Sequence, residues 1–191
     1  MQEVKVSHLS TQANVEDGIR YNFRDLSQVE DFVFGVCNRY RGESPFRIMS
    51  YGLPEGDPSS FIQSIDYFAD VYSKRTGILL RGAFVELSKS SGLSRKHVIE
   101  FADRFSQYYL FQGVVIMYAA YEYVDRFVIL YLINPICYHD GSKYRPNNNE
   151  VVVQETEYAL QSLDNVLGIG DAPNYRSFLC YPVSELIIYD S

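Results

Sequence analysis

Tyr118-Ala119-Ala120-Tyr121-Glu122-Tyr123-Val124-Asp125-Arg126-Phe127-Val128-Ile129-Leu130-Tyr131-Leu132-Ile133-Asn134 is the stretch on which the fold turns. Residues 114–121 and 127–134 are apolar and rich in β-branched and aromatic side chains, which predicts two neighbouring strands. Residues 122–126 gather the polar groups between them and fit a hairpin connection. Successive side chains of a strand point to opposite faces, so Arg126, Val128 and Leu130 share one face of the second strand.

Outward from this hairpin the chain alternates helical and extended patterns. Ser27-Gln28-Val29-Glu30 reads as a capping box, followed by Val29, Phe32, Val33 and Val36 at helical spacing. Asp57-Pro58 opens a second helix with Phe61, Ile65, Phe68, Ala69 and Tyr72 on one face. Gly77 ends the connection after it, and residues 78–87 read as a strand. Ser94 caps a third helix with an inner face of Val98, Phe101, Ala102, Phe105 and Tyr109. Gln112-Gly113 and Asp140-Gly141 are turns. A fourth helix follows Asn147-Asn148-Asn149 and presents Val152, Thr156, Ala159, Leu160, Leu163 and Val166, with Gly168 suited to its end. Residues 185–189 read as a terminal strand. A tight turn between central strands, mixed with helices, predicts an α+β fold: an antiparallel sheet covered on at least one face by helices. No repeat or linker divides residues 1–191, so they read as one domain.

Composition narrows the function classes. The chain has 191 residues, and its apolar content of 47% is that of an ordinary globular protein. No apolar run is long enough for a membrane span, and the polar N-terminus lacks the core of a signal peptide, so a cytoplasmic protein with no membrane partner is expected. Cys37, Cys137 and Cys180 are scattered, which argues against a disulfide framework or a paired-cysteine metal site and for small core residues. The net charge of −7 opposes general phosphate binding. The charge is uneven, however: Lys74, Arg75, Arg81, Lys89, Arg95 and Lys96 are interrupted only by Glu86, which allows a local basic face. Seventeen tyrosines and twelve phenylalanines occur without a tryptophan. Most of these read as core and strand residues, although aromatics also stack on unpaired bases.

The hairpin segment resembles the signature strand of conjugative relaxases, the HUH-class mobilisation nucleases. Their strand carries alternating histidines that bind the catalytic metal, and Arg126, Val128 and Leu130 stand in those places, with Tyr121 at an earlier histidine position. Asp125 and Asn134 keep the flanking polar positions. Gly18-Ile19-Arg20-Tyr21 sits where relaxases carry their nucleophilic tyrosine. Gly35-Val36-Cys37-Asn38 and the run 136–144, Ile136-Cys137-Tyr138-His139-Asp140-Gly141-Ser142-Lys143-Tyr144, are similar to other relaxase stretches in family order.

The resemblance implies a relaxase-like fold and a site for transferring a DNA phosphodiester to tyrosine with an imidazole-bound metal. The residues depart from that chemistry. Val128 and Leu130 bind no metal, and Tyr121 is a poor ligand for Mg²⁺ or Mn²⁺. The three histidines lie elsewhere: His8 in an expected mobile terminus, His97 on a helix surface and His139 in a turn. No metal or other cofactor is therefore expected, and Tyr21 is a vestigial nucleophile. One expectation is a catalytically degenerate relaxase that binds single-stranded or hairpin DNA. Arg126, Lys143, Arg145, Lys74, Arg75, Arg81 and Lys89 would hold phosphates, and Tyr21, Tyr121, Tyr123 and Tyr144 would be candidates for stacking. A second is a non-catalytic module that binds a protein partner or a second copy through the former active face. A third, nuclease activity through Glu122, Asp125 and Asp140 as oxygen ligands to Mg²⁺, has no distinctive spacing behind it.

Overall fold

The structure is a computed structural model and describes residues 3–8, 23, 25–53, 56–144, 149–168 and 185–189. In chain order the elements are β1 (Glu3–His8), α1 (Leu26–Asn38), β2 (Arg47–Tyr51), α2 (Pro58–Val71), β3 (Arg81–Ser88), α3 (Arg95–Phe111), β4 (Ile116–Glu122), β5 (Arg126–Ile133), α4 (Asn149–Leu167) and β6 (Glu185–Tyr189). The strands form one sheet in the order β2-β4-β5-β3-β1-β6, every neighbouring pair antiparallel. This is an α+β architecture in which the β4–β5 hairpin supplies two interior strands. The hairpin register pairs Tyr121 with Val128 and Glu122 with Phe127. The backbone N–H of Tyr123 donates to the Arg126 carbonyl at 2.8 Å and closes the turn.

Helices cover both faces of the sheet. Val29, Val33 and Val36 of α1 and Phe61, Ile62, Ile65 and Ala69 of α2 pack with Met117, Ala119, Tyr121, Leu130 and Leu132. Val98, Phe101, Ala102, Phe105 and Tyr109 of α3 and Ala159, Leu160 and Leu163 of α4 pack with the opposite-facing residues Ala83, Val85, Leu87, Tyr118, Ile129, Tyr131 and Ile133. A strand apolar at both odd and even positions has no face suited to water, which is why β5 sits between two helical layers. The aromatic richness serves the same layers. Tyr118 and Tyr51 both donate to the Asp103 carboxylate of α3 at 2.6 Å. Tyr109 donates to the buried Glu155 of α4, and Tyr131 lies edge-on to Phe105. Tyr118 and Tyr109 thus fill volume with their rings and tie the sheet to α3 and α3 to α4 with their hydroxyls.

Several local expectations change. β2 is unforeseen from its sequence, because a five-residue edge strand is defined chiefly by pairing with β4. His8 lies in a strand rather than a mobile terminus: β1 pairs with β3 and β6, and His8 stands opposite Ala83. Asp25, not Ser27, caps α1, accepting the Ser27 N–H at 2.9 Å. Asp57 and Ser94 cap α2 and α3 as expected. His97 is more than a surface residue, since its Nδ1 accepts the Ser94 N–H and completes a reciprocal cap. Among the described residues, no helix is long and apolar enough to cross a membrane.

Candidate functional site

The three alternating positions meet different fates along β5. Leu130 is fully buried in the layer formed with α1 and α2. Val128 is 6% exposed and forms part of the floor of a small cleft at the hairpin end of the sheet. Arg126 is half-exposed at the rim of that cleft, whose other walls are Tyr40, Arg41, Glu86 and Tyr123. β3 supplies Glu86 because the register sets Glu86 opposite Val128 and Ser88 opposite Arg126. The loop after α1 supplies Tyr40 and Arg41.

The cleft is built on aromatic walls. The Arg126 guanidinium lies 5.8 Å from the Tyr123 ring centroid, and that of Arg41 lies 5.5 Å from the Tyr40 centroid. Tyr123 is fixed by its hydroxyl, which donates to the Tyr40 carbonyl at 3.0 Å. Burial, followed by the neighbouring Tyr40, raises the Tyr123 pKa, so this phenol stays neutral. Arg41 has a positive φ of 47°, sparsely populated for a residue with a side chain, and so the loop turns sharply beside the cleft. Arg126 makes two loose ion pairs: Nε stands 3.6 Å from a Glu86 oxygen and one terminal nitrogen stands 3.4 Å from Asp125. The 3.6 Å separation is too long for a hydrogen bond, and the buried Nε has no hydrogen-bond acceptor among the described residues.

These residues do not fit a divalent metal. Arg126, Val128 and Leu130 offer no metal-ligating atom, and no group of three His, Cys, Asp or Glu among the described residues is placed to hold one. Glu122, Asp125 and Asp140 do not converge. Both Glu122 oxygens are taken by Lys89 at 2.7 Å and Arg95 at 2.5 Å, hydrogen bonds that lower its pKa. Asp140 accepts the Ser142 N–H in the turn beyond the opposite end of β5.

The basic residues divide between the two ends of the sheet. Arg126 and Lys89 lie at the hairpin end, where Lys89 also sits 5.0 Å from the Phe127 ring centroid. Arg81 begins β3 opposite Ile133, seven residue steps away and so roughly 23 Å distant. At that far end Lys143 donates to the Thr76 carbonyl at 3.0 Å, and Arg75 is bound by Asp66 and Asp70 at 2.9 and 2.6 Å. Lys74 is exposed in the turn after α2. Among the stacking candidates, Tyr123 alone of those described borders the cleft. Tyr121 is fully buried, its hydroxyl donating to the Val36 carbonyl at 2.5 Å, and Tyr144 is buried against α3 and α4. Tyr21 and Arg145 lie outside the described residues.

Sequence reasoning missed Tyr40 and Arg41 as cleft residues, because their approach depends on β2 and the turn before it. Glu86 carried a signal, as the single acid within the basic run from Lys74 to Lys96.

The fold and cleft define a class: a helix-covered antiparallel sheet with a cationic, aromatic-walled site at the end of its central hairpin. A scan against protein-family models finds no match to this chain, and a search of curated proteins finds none either.

Proposed function

We propose that this chain is a relaxase-like protein that holds single-stranded or hairpin DNA without metal-assisted strand transfer, as an accessory in the mobilisation of a plasmid or integrative element. The observation that carries this reading is Arg126: a guanidinium against an aromatic wall at the first of three positions where the resembling family places metal-binding histidines. A guanidinium presents a fixed fork of donors to a phosphate, and tyrosine beside it offers a ring to an unpaired base. Val128 and Leu130 complete the exchange by replacing metal ligands with apolar packing.

The test is fluorescence anisotropy with labelled single-stranded, hairpin and duplex DNA at two salt concentrations, with and without Mn²⁺. Binding is expected to be independent of Mn²⁺, to favour single-stranded or hairpin DNA and to weaken with salt. Arg126→Ala is expected to weaken it by about tenfold, the scale of one charge-assisted contact. Absence of binding at low salt would reject the reading.

A non-catalytic protein-interaction module is the second reading. It is favoured by the internal pairing of Lys89 and Arg95 with Glu122 and of Arg75 with Asp66 and Asp70. Those pairs reduce the positive charge offered to a nucleic acid.

A further inference from the structure

We infer that Glu86 is an internal gate on the Arg126 phosphate site, a carboxylate that occupies the guanidinium until a nucleic-acid phosphate replaces it; this rests on the DNA-holding reading above. Glu86 and Arg126 are diagonal neighbours on adjacent strands and line the same cleft. The β3–β5 ladder fixes the backbone spacing of the two residues. Their contact is an ion pair at 3.6 Å without a hydrogen bond, and the Arg126 Nε donor is unsatisfied. A carboxylate and a phosphate diester each offer two oxygens bearing one negative charge, so Glu86 is a poorly seated stand-in for the ligand. A phosphate approaching the exposed part of the Arg126 side chain would meet repulsion from Glu86. The gate therefore weakens binding of any isolated phosphate and favours a strand that also uses the aromatic walls.

The test compares wild type, Glu86→Gln, Arg126→Ala and the double variant by anisotropy on a fluorescein-labelled oligothymidylate across a salt series. Circular dichroism checks that each variant is folded, and Glu86→Ser replaces Glu86→Gln if the latter is not. Glu86→Gln is expected to bind about two- to fivefold tighter, the scale of an exposed ion pair. Its logarithmic salt slope should steepen by about one phosphate contact. Adding Arg126→Ala should abolish the gain. Wild-type binding left unchanged by Glu86→Gln would overturn the gate and leave the DNA-holding reading standing. A gain that survives Arg126→Ala would overturn it as well, as a general charge effect. No binding by any of the four proteins at low salt would overturn both readings.

Discussion

At the scale of single residues, neighbours on one face of β5 obey different physics. Arg126 is half-exposed at the strand's end, so part of its side chain keeps contact with water. Leu130, two residues inward from Val128, is fully buried in the cluster formed with α1 and α2 side chains. Leu130→Ala is expected to lower unfolding free energy by about 2–5 kcal/mol, measured by urea denaturation, because the transfer term and the cavity add. Gly141 shows a steric constraint instead. Its φ is +69°, and an added Cβ would lie 2.3 Å from the Tyr72 ring. Gly141→Ala is therefore expected to destabilise the fold through both backbone strain and overlap, read as a lowered melting temperature.

At the scale of elements, the helices are defined by their caps and held by tyrosine hydroxyls. Ser94 and His97 satisfy two donors at the start of α3, the helix that carries Asp103 to Tyr51 and Tyr118. Ser94→Ala is expected to cost about 1 kcal/mol in a denaturation experiment. Asp103→Ala should cost more, because it strands two tyrosine hydroxyls beneath α3. The hairpin end has a different dependence. Glu122 binds Lys89 and Arg95, and its lowered pKa means that this contribution is present above the ordinary carboxyl value of 4.5 and fades as pH falls through the folded value. Glu122→Gln should remove that acid-side change, observable in the chemical shifts of the hairpin amides.

For the whole molecule, burial of phenols is the dominant electrostatic theme. Tyr109 and Tyr131 lie within the core and have pKa values raised well above 10.0, chiefly by desolvation, and desolvation pushes Tyr108 up to about 12. A raised tyrosine pKa favours the neutral phenol in the folded state. Stability is then complete below the ordinary value of 10.0 and is lost as pH rises through about 12. Ultraviolet titration should accordingly show the core tyrosines ionising only together with unfolding, seen by circular dichroism. The cationic groups are divided between the sheet ends, and several are paired internally.

The local sequence determined the helical faces, the caps of α2 and α3, the turns at Gly113 and Gly141, and the central hairpin. Periodicity and turn chemistry act between residues close in the chain, so they are legible there. Residues 126, 128 and 130 could be placed on one face for the same reason. Tertiary structure alone decided that both sheet faces are covered, that β2 and β1 join the sheet, and that Tyr121 and Tyr144 point into packed layers. It also decided that Tyr40, Arg41 and Glu86 meet Arg126 in one cleft. Those outcomes depend on strand register and on pairing between distant segments, and side-chain burial is settled only when a second layer arrives to exclude water.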